Sequence, residues 1–87
     1  MSENLPADIG PYETEQQAAD TCRSIYAQAP NLGYQKAYNR GRLTEACESA
    51  GVELGAYDLR VIEWLSRWEP EVVAAVAGLI ARAGGAR

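Results

Sequence analysis

The dipeptide Glu69-Pro70 splits the last third of the chain into two apolar stretches with helical spacing, and it restricts the fold more than any other feature. Proline lacks an amide proton and has a fixed φ, so it ends the preceding helix and opens the next at the first helical position, where no hydrogen bond is lost. Before it, Tyr57, Val61, Trp64, Leu65 and Trp68 share one side of a predicted helix over 56–68. After it, Val72 to Ala81 forms an apolar run within a predicted helix over 70–83, which Arg82 and Gly84-Gly85 close. The pattern is that of an αα-hairpin. It holds both tryptophans, which makes it the expected main source of stability.

Upstream, Thr14 and Gln17 have the spacing of a capping box, in which each side chain takes a free amide near the other. A first helix over 14–29 follows, with Ala18, Ala19, Cys22, Ile25, Tyr26 and Ala29 on its apolar stripe and Pro30 as its stop. Leu43, Ala46, Cys47 and Ala50 set a second helix over 39–50, with Asn39 as N-cap and Gly51 as the left-handed residue that ends it. Between them, Asn31 to Gly41 reads as a turn or a frayed helical start. Residues 1–11, with Pro6, Gly10, Pro11 and scattered acids, read as a disordered tail. The expectation is an all-α fold: a small four-helix domain over 12–87 with a C-terminal αα-hairpin and a flexible tail over 1–11.

At 87 residues the chain has room for one domain, and one of this size buries only roughly 60% of the surface its unfolded form exposes. Small domains make up the deficit with disulfides, metals or a partner subunit. There is no histidine, which removes the commonest zinc ligand and the commonest general base together. Cys22 and Cys47 stand among small residues without a Cys-x-x-Cys pair, and read as two buried thiols. Cys22, Cys47, Asp58, Glu63 and Glu69 have no catalytic motif around them, and no glycine-rich loop follows a strand. No catalytic residue, metal ligand or cofactor is expected. The ten-residue apolar run is about half a membrane span, and the N-terminus has no basic-then-apolar leader pattern, so the expected location is the cytoplasm.

Charge is unevenly spread. Residues 1–20 carry five acids and no Lys or Arg, whereas Arg23, Lys36, Arg40 and Arg42 make residues 21–44 basic. Within that middle, Tyr34, Lys36, Tyr38, Arg40 and Arg42 alternate aromatic and cationic groups, a candidate patch for an acidic surface or for stacking on nucleic acid. The net charge of −4 opposes nucleic acid. Leu43 to Val61 has the first half of a helix-turn-helix, but Leu54 takes a turn position that is usually polar, and Asp58 and Glu63 share the second helix with Arg60 and Arg67. Ala74, Gly78 and Arg82 form a four-spaced row along the last helix, whose small members suit close packing inside the domain or against a second copy.

Residues 51–83, with Gly55-Ala56-Tyr57-Asp58, Trp64, Trp68 and Glu69-Pro70 as their specific part, resemble the C-terminal half of small all-helical proteins of high-GC bacterial genomes and mobile elements. The resemblance implies a bacterial origin and carries no activity. The function expected from the sequence is a non-catalytic protein-interaction module, homodimeric in its simplest form, that shows an apolar and aromatic helix face to a protein partner or to itself. The motive is the apolar surplus of the last helix, with Trp64, Trp68, Ala74 and Gly78 as partner-binding candidates beside the Tyr34–Arg42 patch. The alternatives are a small DNA-binding regulator with a degenerate helix-turn-helix and an acidic, antitoxin-like inhibitor.

Overall fold

The computed structural model describes residues 9–28 and 32–85, and these are all-helical. In chain order the helices are α1 (Glu15–Asp20), α2 (Arg23–Gln28), α3 (Leu32–Ser49), α4 (Ala56–Leu65) and α5 (Pro70–Gly85). The capping box at the start of α1 is present: the Gln17 amide donates to Thr14 Oγ1 at 3.2 Å, and the Thr14 amide donates to Gln17 Oε1 at 3.3 Å. The first expected helix is broken into α1 and α2. At the break both the amide and the hydroxyl of Thr21 donate to the Ala18 carbonyl, at 3.1 and 2.8 Å, so the threonine side chain competes with the regular helix ladder. Ala29 and Pro30, the expected end of that helix, lie outside the described residues.

The second expected helix begins earlier than its sequence suggests. α3 is continuous from Leu32, so Gly33 and Gly41 are helical, and Asn39 is not an N-cap but sits deep inside the helix with 1% of its surface exposed. Tertiary contacts override the weak helix preference of these residues. The C-terminal end of α3 follows the expectation. Gly51 has φ +77°, its amide reaches the Glu48 carbonyl at 3.1 Å, and the Val52 amide reaches the Cys47 carbonyl at 2.9 Å, the two bonds of a Schellman ending.

α4 starts where the Gly55 amide donates to Asp58 Oδ2 at 2.9 Å, and it stops at Leu65, three residues before the expected end. Ser66 to Glu69 then turn the chain, and the amides of Val72 and Val73 both reach the Glu69 carbonyl as α5 begins at Pro70. The two helices flank a tight corner but do not pack along each other. The backbone of α5 lies against α3 and α1, and α4 rests chiefly on α3.

This placement explains why α5 is apolar on several sides. Val73 and Ala77 enter one cluster with Leu43, Ala46, Cys47 and Ile62, while Ala74 enters a second with Ala18, Cys22 and Ile25, covered by Tyr12 and Tyr38. Of the residues read as a tail, 1–8 lie outside the described residues. Ile9 and Gly10 are packed, and the Ile9 backbone crosses α5 at Gly78 so closely that a Cβ there would stand 2.5 Å from the Ile9 carbonyl oxygen.

Candidate functional site

Most of the apolar side of α4 is turned away from the core. Of the residues that periodicity puts on one side, Leu65 packs on the core and Trp68 follows the end of the helix, while the buried positions are Ile62 and Ser66. Tyr57, Val61, Trp64 and Trp68 are left 73%, 36%, 55% and 47% exposed, whereas Leu65, which the spacing places with them, packs against the core. Trp64 and Trp68 meet edge to face with ring centroids 5.7 Å apart. They form the crest of a ridge in which Tyr57, Val61 and Trp64 follow the i, i+4, i+7 spacing of one helix side and Trp68 stands on the turn just beyond the end of α4. Arg60 and Arg67 flank the ridge on one side. Both are exposed, and among the described residues neither makes an ion pair or a side-chain hydrogen bond.

Asn39 holds the foot of this ridge. Its Nδ2 donates to the Ser66 carbonyl and to the Trp68 carbonyl, each at 3.0 Å, satisfying acceptors that the end of α4 leaves open. The Ser66 hydroxyl donates to the Glu63 carbonyl at 2.6 Å and closes the same turn. Sequence reasoning missed this role, because an asparagine after a polar stretch reads as a cap for its own helix. Nothing local marks it as a cap for another.

The Tyr34–Arg42 segment does not form one patch. The turn of α3 sends Lys36 and Arg40 toward α4, where both meet Glu63, at 2.5 and 3.2 Å. Hydrogen bonds from Lys36 first and Arg40 second hold the Glu63 carboxyl below the ordinary carboxylate range. Arg42 points the other way, and its Nη1 donates to Thr21 Oγ1 at 3.2 Å and to Tyr38 OH at 3.5 Å beside the buried Cys22. Tyr34 is exposed and Tyr38 covers the second cluster. On the far side of the fold, Tyr26 OH donates to Glu71 and ties α2 to α5; burial and then Glu71 raise the phenol's pKa well above its usual value.

Ala74 and Gly78, the expected small-residue seam, are used within the chain: Ala74 is fully buried in the second cluster, and Gly78 lies under the Ile9 backbone. On α5 the large apolar side chains left exposed are Val72 and Leu79, whereas α4 and the turn after it expose Tyr57, Leu59, Val61, Trp64 and Trp68. Between α3 and α5 runs an open groove of about 850 Å³, lined by small residues of both helices and by Ile9, Tyr38, Arg42 and Glu45. Among the described residues, no group of three or more Cys, Asp or Glu side chains is placed to hold a metal ion, and no helix is long and apolar enough to cross a membrane. No protein-family model, curated protein or solved structure matches the chain.

Proposed function

We propose that this chain is a non-catalytic protein-interaction module whose working surface is the aromatic ridge of α4. The observation that carries the reading is the outward placement of Tyr57, Trp64 and Trp68 with Arg60 and Arg67 beside them. Trp, Tyr and Arg are the residue types that supply most of the binding energy at protein interfaces. An aromatic side chain removes about 150–250 Å² from water when fully covered, and with half to three-quarters of each ring bare the three together reach the few hundred Å² of a patch that on a monomer is often functional. Tyr57 and Trp64 stand on α4 and Asn39 holds the turn that carries Trp68, so the ridge is ordered before binding, which lowers the entropy cost of docking.

Trp64→Ala/Trp68→Ala tests the reading. Wild-type and variant chains serve as bait in affinity capture from the native host, with quantitative mass spectrometry, while light scattering follows self-association of the purified chain. The expected result is a binding partner, foreign or self, that the variant loses while it still unfolds cooperatively, with a melting temperature lowered by only about 4–8 °C. Unaltered capture and unaltered self-association in a folded variant would remove the ridge from function.

A further inference from the structure

We infer that the α4 ridge docks on an apolar protein surface edged by carboxylates, which Arg60 and Arg67 grip. The inference rests on the ridge reading and states the chemistry of its partner. Arg60 lies one turn before Trp64 on α4, and the Arg67 amide donates to the Trp64 carbonyl at 3.2 Å in the turn that follows. Two exposed guanidinium groups thus bracket Trp64 along the chain.

These two stand apart from the other cations. Arg23 pairs with Asp20, Lys36 and Arg40 pair with Glu63, Arg42 bonds Thr21 and Tyr38, and Arg82 Nε donates to the Gly78 carbonyl. Of the described cations, Arg60 and Arg67 alone have no such bond, although the chain carries 12 acids. The carboxylates of α4 are themselves committed: Asp58 Oδ2 accepts from the Gly55 amide, and Glu63 takes Lys36 and Arg40.

Coverage decides what the partner must bring. A surface that buries Tyr57, Trp64 and Trp68 also strips water from the guanidinium groups beside them, and a charge buried without a counter-charge opposes binding. A purely apolar partner is therefore disfavoured. Carboxylates remove the difficulty, because guanidinium and carboxylate meet in a two-pronged hydrogen-bonded pair. Extended polyanions fit less well. Glu53 stands before α4 and Glu69 after Trp68, both exposed, so a phosphate backbone or an anionic bilayer running past the ridge meets like charge, on a chain of net charge −4. Carboxylates on a protein surface can be confined to the middle.

Affinity capture from the native host tests this with Arg60→Glu/Arg67→Glu as bait beside wild type and Trp64→Ala/Trp68→Ala, followed by titration calorimetry with the purified captured protein. Arg60→Gln/Arg67→Gln is the neutral counterpart; circular dichroism checks folding, and where the reversed chain does not fold the neutral one carries the comparison. The expected result is that the protein lost with the tryptophan variant is lost with the charge-reversed one too. Its Kd rises about a hundredfold on reversal and less on neutralisation, and the wild-type affinity weakens as NaCl rises from about 50 to about 500 mM. Lysines in place of the partner's contacting carboxylates restore binding to the charge-reversed chain. Retention of the partner by the arginine variants overturns the inference, as does wild-type binding to duplex DNA or to phosphatidylglycerol vesicles that is tighter than to the captured protein. If capture depends on the tryptophans but not on the arginines, only the carboxylate partner falls; if neither capture nor self-association depends on the tryptophans, the ridge reading falls with it.

Discussion

Replacing Asn39 by alanine should loosen the foot of the ridge, and the size of the effect follows from three acceptors. The Ser66 carbonyl is buried, and leaving it without a donor costs about 1–3 kcal/mol. The Trp68 carbonyl is only partly covered, so water can replace the lost amide and the cost there is about 1 kcal/mol. Asn39 Oδ1 has no partner among the described residues, so its removal offsets about 1 kcal/mol. Alanine's better helix propensity offsets about 0.5 kcal/mol more. The expected net loss is about 1.5 kcal/mol, a sizeable part of the total for a small domain. Denaturant unfolding followed by tryptophan fluorescence measures it, and the edge-to-face Trp64–Trp68 pair reports the corner directly. Asn39→Asp adds a pH signature. A buried carboxylate facing two carbonyls has its folded pKa raised, so stability is kept below the unfolded value of about 3.9 and lost as pH rises through the folded pKa. If Asn39→Ala stays within about 0.5 kcal/mol of wild type, as for an ordinary surface substitution, the claim that this side chain fixes the ridge is wrong.

Trp64→Ala or Trp68→Ala should cost about 1 kcal/mol, near the worth of an aromatic pair, instead of the 3–5 kcal/mol of a buried ring; equilibrium unfolding distinguishes the two. Glu63 has a depressed carboxyl pKa, so its contribution is present above the unfolded carboxylate value and fades as pH falls through the folded one. Thermal unfolding across the acidic range should therefore decline less steeply in Glu63→Gln, and equal slopes would refute the role of Lys36 and Arg40. Gly78→Ala must push residues 9–12 off α5 or strain the contact, at about 1–3 kcal/mol; an unchanged melting temperature with Tyr12 still protected from modification would contradict the close approach.

What was legible in the sequence was local. Thr14 and Gln17, Gly51 with Val52, and Glu69-Pro70 each fix a boundary through bonds within a few residues, and each boundary stands where its pattern places it. Wherever a distant contact decided the outcome, the sequence pattern was insufficient. Gly33, Asn39 and Gly41 are poor helix formers, yet α3 runs through them because Asn39 anchors the α4 corner and Leu43 enters the core. The candidate site shows the same division. Periodicity grouped Tyr57, Val61, Trp64, Leu65 and Trp68, of which Leu65 meets the core and the other four do not, because spacing says which residues share a side and not which side is covered. Ile62 and Ser66 win that place because they fit against α3 beside Leu43 and Asn39. Lys36 and Arg40 parted from Arg42 for an equally simple reason, since side chains two positions apart on a helix point away from each other.

The two cysteines have a consequence of another kind. Cys22 lies in the cluster formed by α1, α2 and α5, and Cys47 in the one formed by α3, α4 and α5, and both are free thiols shielded from solvent. Each half of the molecule thus holds its own concealed chemical clock. Alkylation can strike one only when that half opens, so the two labelling rates show whether the halves on either side of α5 come apart together or in turn.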